Sequence, residues 1–214
     1  GRDVFSRVIY GARVSLAVGI LAVSISLVIG LAMGSLSGYY GGLLDSVVMR
    51  TADIFFAFPY TLFAIALLAV LGPSYRNVFI AIGILGWPSI ARVLRSSILT
   101  VKENEYVDAA RAMGASDLRI MMRHIMPNAI APIIVYGTMS IGGAIITEAA
   151  LSYLGMGVQP PTPSWGGMLS EAKALMVPAP WLTIWPGFAI LTTVLSFVLM
   201  GDGLRDALDV KMKD

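Results

Sequence analysis

His124 is the only histidine in the chain and cysteine is absent, so reactive or metal-binding chemistry has few possible carriers. No His, Cys or carboxylate stands at ligand spacing from His124, which leaves a metal site without a donor set. A single histidine beside a docking-type helix supports no Ser, His and Asp arrangement either. A chain that hydrolysed nucleotide would carry a phosphate-cradling Gly-rich loop ending in Lys-Ser or Lys-Thr. The four lysines are instead followed by Glu103, Ala174, Met212 and Asp214. The expectation is a protein with no enzymatic activity of its own, no cofactor and no metal, in which His124 is a polar residue at the edge of an apolar region.

The polar residues that remain point to docking. Glu105 to Pro127, EYVDAARAMGASDLRIMMRHIMP, is the only long polar interruption of an apolar chain. Tyr106, Ala109, Ala110 and Met113 recur at helical spacing, and after Gly114 the spacing returns in Leu118, Met121, Met122 and Ile125. Two short amphipathic helices follow. Gly114 is placed to close the first in the left-handed conformation, Ser116 to cap the second, and Pro127 to open the next helix. A passive tether would need none of this punctuation.

The elements that position this segment are membrane spans. Of 214 residues 57% are hydrophobic and 13% charged, and mean hydropathy is +0.80, which excludes an ordinary soluble domain. Val14 to Leu44, Ile54 to Tyr75, Ile125 to Thr147, Ala149 to Ser170 and Ala174 to Gly201 contain no Asp, Glu, Lys or Arg. Roughly 20 apolar residues cross a bilayer. Spans are expected at about Ser15–Leu36, Val47–Leu71, Asn77–Leu99, Asn128–Leu154 and Trp181–Met200. The lipid bilayer is thus the first partner, and no basic, aromatic-interleaved surface points to nucleic acid.

Five spans put the two ends of the chain on opposite sides, and basic residues decide which is which. Arg50, Arg92, Arg95, Lys102, Arg111, Arg119, Arg123, Arg205, Lys211 and Lys213 fall on one side; Arg2, Arg7, Arg13, Arg76 and Lys173 fall on the other. The larger group places Glu105 to Pro127 and the C-terminus in the cytoplasm and the start of the chain outside. The first residue is Gly rather than Met, so a further N-terminal span is expected to precede it.

Several residues within the spans carry two readings each. Gly30, Gly34, Gly38 and Gly42 form a small-residue row that either packs helices or serves as a pivot between moving ones. Gly155 to Gly167, GMGVQPPTPSWGG, is a proline-rich outer loop whose Trp165, with Trp181 beyond it, either sits in an interfacial belt or belongs to a cap over a pathway or a contact for an external partner. Glu148, with Ser152 one turn away, is either part of a gate or an interhelical hydrogen-bonding group. Asp53 stands three residues after Arg50, at ion-pair spacing. Pro59 and Pro88 are expected to kink their helices and free carbonyls for a cavity.

Asp108-Ala109-Ala110, then Gly114, then Pro127 thirteen positions later, resembles the cytoplasmic EAA loop of permease subunits of bacterial ATP-binding-cassette importers. GRDVFSRVIYGARVSL, GYYGGLLDSVVMRTADIFFAFP, LSYLGMGVQPPTPSWG and MGDGLRDALDVK are similar to the second permease subunit of the dipeptide, oligopeptide and nickel group. The resemblance covers essentially the whole chain. Asp108 stands in place of the motif glutamate, His124 of isoleucine and Met126 of leucine, all mild departures.

This resemblance implies an all-α integral membrane fold, the transmembrane domain of a type I importer over residues 1–214, with a coupling loop at 103–127. By resemblance Glu105, Tyr106, Asp108, Ala109, Ala110, Met113, Gly114, Ala115, Ser116 and Leu118 would contact an ATPase subunit that holds ATP and magnesium. Implied partners are a homologous permease forming a heterodimer, two such ATPases and an extracytoplasmic solute-binding protein, in the bacterial inner membrane. Small peptides are the expected cargo and nickel or its chelate the alternative. A self-sufficient channel or secondary transporter, and a non-transporting scaffold, are the rivals from other classes. The second, third and fourth spans are expected to face the pathway, with Glu148, Pro59 and Pro88 as gate or pathway residues.

Overall fold

A computed structural model describes residues 3–209, and among these every regular element is a helix. In chain order they are α1 (Val4–Tyr40), α2 (Gly42–Phe56), α3 (Tyr60–Leu71), α4 (Tyr75–Lys102), α5 (Glu105–Ala112), α6 (Asp117–Ile120), α7 (Met126–Ala129), α8 (Ala131–Tyr153), α9 (Trp165–Glu171) and α10 (Trp181–Asp209). A wide π-type turn, Met121–Ile125, joins α6 to α7. Arg2, Lys211 and Lys213, used above to orient the chain, lie outside the described residues.

α1, α4, α8 and α10 are each long and apolar enough to cross a membrane. The span expected over Val47–Leu71 is different: α2 and α3 meet at 89°, so this segment is a broken span or a re-entrant pair. Pro59 sits at the break as the residue preceding α3, with φ −57° and ψ 124°, a conformation that cannot continue the helix before it. Asn77 closes the far end of α3, its Nδ2 donating to the carbonyls of Leu71 at 2.8 Å and Gly72 at 2.9 Å. Pro88 behaves otherwise. α4 runs through it unbroken, and nearby carbonyls of that helix accept from Ser26 Oγ (Gly83, 2.8 Å) and Tyr60 Oη (Ile82, 3.1 Å).

The core of the molecule is the crossing of α1 and α4, and the glycine row makes it close. A Cβ on Gly30 would fall 2.6 Å from Ile90 Cβ, one on Gly34 2.8 Å from the Ala91 carbonyl, and one on Gly38 3.0 Å from Ile98 Cβ. Without a competing solvent effect in lipid, such backbone approach supplies much of the packing energy. Gly42 leaves the row: with φ +56° and open space around it, it serves the turn into α2. α10 packs on α8 through Gly142 against Val194 and Gly201 against Met139. Its other face presents Trp181, Trp185, Phe188, Leu191, Leu195 and Leu199 outward, as a lipid-facing helix does.

Candidate docking and translocation site

α5 and α6 form a small knob below α1, α4 and α8, and its turn is built as the sequence spacing predicts. Gly114 takes φ +81°, its N–H donates to the Arg111 carbonyl at 2.9 Å, and the Ala115 N–H donates to the Ala110 carbonyl at 3.1 Å. That pair of bonds is the Schellman closure, which satisfies the last carbonyls of α5. Ser116 precedes α6 in extended backbone, but its side chain makes no capping bond there. Pro127 lies in the first turn of α7, where its missing N–H costs nothing.

The knob has two apolar faces, and this separates residues that the sequence spacing grouped together. Val107, at 0% exposure, and Ala110, at 2%, point inward with Ile120, Met121 and Ile125 onto Tyr39, Leu94 and Ile98 of the main bundle. Met113 at 81%, Leu118 at 69%, Met122 at 59% and Tyr106 at 43% are exposed on the opposite side. Glu105, Asp108, Ala109, Gly114 and Ser116 share that outer surface, Ala115 is half-buried, and Asp108 pairs with Arg111 at 3.1 Å. Ala110 is thus corrected from an expected contact to an inward support. Val107 and Ile120, missed from the sequence, are the knob's own anchors; their spacing was masked because both faces of α5 are apolar.

Polar links fasten the knob to the neighbouring helices and tie α1 to α4 beside it: Asn128 Nδ2 of α7 donates to Tyr106 Oη at 3.2 Å. Tyr39 Oη donates to Asp117 Oδ1 at 2.7 Å, and Lys102 Nζ donates to the Tyr39 carbonyl at 2.6 Å. Neither Tyr39 nor Asp117 was marked by the sequence pattern. Nearby, Arg95 holds Asp45 through two bonds of 2.5 Å, joining α4 to α2. Asp53 pairs with Arg92 of α4 at 2.6 Å, in place of the local partner Arg50 expected from spacing. The exposed side of α2 turns Arg50 outward, while Arg92 also lies 4.2 Å from the Phe56 ring centroid.

Above the knob two clefts run along one face of α8. The larger, about 700 Å³, is lined among others by Phe55, Tyr60, Ser89, Ser140, Gly143 and Thr147. The other, about 530 Å³, is lined among others by Ser96, Ser97, Thr100, Asn128 and Arg205. Tyr136 and Met139 border both, so the clefts meet at that pair. α2, α3, α4 and α8 supply the walls of the larger cleft, together with Val23 and Ser26 of α1.

The three weaker pathway candidates do not line either cleft. Glu148 is fully buried, its oxygens accepting from Ser15 Oγ at 3.0 Å and Ser152 Oγ at 2.7 Å. Ser152 Oγ in turn accepts from the Val158 N–H at 3.1 Å, and Ser15 Oγ from the Trp165 N–H at 3.3 Å. Glu148 thus serves as an interhelical hydrogen-bonding group and, through Ser15 and Ser152, fastens the outer loop to α1 and α8. Trp165 is corrected likewise: at 3% exposure, with Nε1 donating to the Val8 carbonyl at 3.0 Å, it belongs to the core and not to an interfacial belt. Pro59 acts by breaking the second span, and Pro88 stays buried inside α4. Among the described residues no group of three His, Cys, Asp or Glu side chains could hold a metal.

Residues 14–214 match the family described as binding-protein-dependent transport system inner membrane component. The glutathione transport system permease protein GsiD of Pectobacterium atrosepticum is 50% identical over 213 residues, covering 100% of this chain and 71% of that protein. The dipeptide transport system permease protein DppC of Alkalihalophilus pseudofirmus is 49% identical, covering 100% of this chain and 70% of its own. In structure, the inward-facing methionine transporter MetNI aligns with a TM-score of 0.77 at 18% identity, over 94% of this chain and 95% of the matched one. An amino acid ABC transporter aligns at 0.67 and 17% identity, over 99% of both chains. At such identity the likeness is one of fold.

Proposed function

The chain belongs to the family of binding-protein-dependent transport system inner membrane components, and we propose that it is one of two homologous permease subunits of an ATP-driven importer of small peptides. The observation that carries this reading is the outward apolar face of the knob, Tyr106, Met113, Leu118 and Met122, presented by a segment whose other face is anchored in the bundle. A partner that covers it would bury large, mostly unbranched side chains, the composition of a docking anchor. The chain has no phosphate-binding loop, so the partner fits as the ATPase that supplies the driving force.

In this account ATP closes two nucleotide-binding subunits, and each draws its knob with it. The motion reaches α4 and α8 along the chain, and the clefts that meet at Tyr136 and Met139 open to one side or the other. Peptide, arriving from an extracytoplasmic binding protein, and nucleotide each shift the populations of these states. The mixed hydroxyl, amide and aromatic lining suits a peptide, whose backbone needs hydrogen-bonding partners while its side chains vary. The relatives that carry dipeptide and glutathione transport in their names support this cargo over nickel. The excess of Arg and Lys on the knob's side of the spans supports placing it in the cytoplasm.

Proteoliposomes holding the complete complex, with labelled dipeptide, glutathione and nickel offered in parallel, test the reading. ATP-dependent accumulation of a peptide is expected. Uptake without any ATPase subunit would make the chain a channel or secondary transporter instead, and uptake of nickel alone would move the cargo.

A further inference from the structure

We infer that Tyr39 is a positioning residue that transmits movement of the knob to α1, and that its hydrogen bond to Asp117 couples ATP hydrolysis to transport. This rests on the importer reading above. The knob is continuous in the chain with α4 before it and with α7 and α8 after it, but not with α1. α1 is nevertheless the helix packed most intimately on α4, and it contributes Val23 and Ser26 to the larger cleft. It must therefore move in step with helices that the ATPase pulls through the backbone.

Tyr39 Oη ties α1 to residues 105–120 by donating to Asp117 Oδ1 at 2.7 Å. Tyr39 is the penultimate residue of α1, 4% exposed, and its carbonyl is held by Lys102 at the end of α4. One residue earlier, Gly38 locks the two backbones together against Ile98. Arg111, paired with Asp108, lies near the same hydroxyl. The other contacts of the inner knob face are apolar, with Val107, Ala110, Ile120 and Met121 lying on Leu94, Ile98 and their neighbours. Apolar contacts are non-directional and tolerate sliding, whereas a hydrogen bond to a carboxylate fixes distance and direction. A knob without this bond can still dock and still follow its ATPase, while α1 lags.

The test measures peptide uptake and ATP hydrolysis in the same proteoliposomes, using the complete complex with Tyr39→Phe, Asp117→Ala, both together, and Asp117→Asn. Tyr39→Phe keeps the buried ring and removes only the hydroxyl. It and Asp117→Ala should each lower uptake per ATP by about tenfold, the scale of one hydrogen bond to a charged acceptor. Hydrolysis and ATPase stoichiometry should change by less than about twofold, a split that simple loss of stability does not produce. The double variant should be no worse than either single one, since both remove the same bond. Asp117→Asn keeps an acceptor oxygen in place and should stay near the wild type. An unchanged ratio in Tyr39→Phe, parallel loss of uptake and hydrolysis, additive losses, or failure of Tyr39→Phe to assemble would each overturn the inference. A wild-type complex that hydrolyses ATP without moving peptide would instead remove the importer reading on which it stands.

Discussion

Gly114 is the residue at which two explanations of the knob give opposite orders of substitution. If glycine is there so that a partner's backbone can come close, then the smallest replacement, alanine, should be tolerated best. The structure argues for conformation. Gly114 has φ +81°, and a Cβ built on it meets nothing within 4 Å in this chain. The cost of a side chain is therefore the cost of holding an L-residue in the left-handed region, about 1–2 kcal/mol for alanine and more for a β-branched residue. Relaxing that conformation breaks the bonds from Gly114 to Arg111 and from Ala115 to Ala110, which set the angle between α5 and α6. An energy of that size shifts the population of the closed turn by about five- to thirtyfold. Asparagine visits the left-handed region far more readily than alanine does. The expected order of ATPase affinity for the permease pair in nanodiscs is Gly, then Asn, then Ala, then Val, with Ala weakened by about five- to thirtyfold. Membrane insertion should be unaffected throughout. Alanine binding as well as glycine, or better than asparagine, would refute the conformational argument.

Three further outcomes follow from the packing. Gly34→Leu should drive α1 from α4, because its Cβ alone would stand 2.8 Å from the Ala91 carbonyl; a loss of about 1–3 kcal/mol of stability is expected as a lowered Tm of the purified complex. Glu148→Ala should leave the Ser15 and Ser152 hydroxyls without their acceptor. A cost of about 1–3 kcal/mol is expected, read as faster proteolysis of the outer loop, with Glu148→Gln milder. Arg95→Ala should destabilise more than Arg92→Ala. The Arg95 pair is bidentate with side chains 33% and 21% exposed, while the Arg92 pair is about half exposed and contributes about 0–1 kcal/mol.

Much of this architecture was legible because apolar length and Gly or Pro punctuation are local signals. The four unbroken spans, the closure at Gly114 and the entry at Pro127 each follow from residues within a few positions of one another. What escaped depends on partners far along the chain. A kink at Pro59 was legible, but its size, 89° between α2 and α3, was not, since a proline does not fix the angle at which the chain resumes. Asp53 has an acceptable partner three residues away, yet α4 brings Arg92 within 2.6 Å. Trp165 reads as interfacial until α1 supplies Val8 and Ser15 to its backbone and indole nitrogens. The knob's inner and outer faces could not be told apart because each is apolar, one packing on this chain's own core and the other being the face proposed to meet the ATPase.

On the reading proposed above, an ATPase engages this permease at the outer face of the knob. Leu118→Asp tests it directly, since Leu118 is 69% exposed. With the purified permease pair in nanodiscs, binding of the cognate ATPase subunit is measured against the wild type. Loss of binding with unchanged insertion and unchanged Tm is the predicted result; wild-type binding by a correctly folded Leu118→Asp chain would contradict the account.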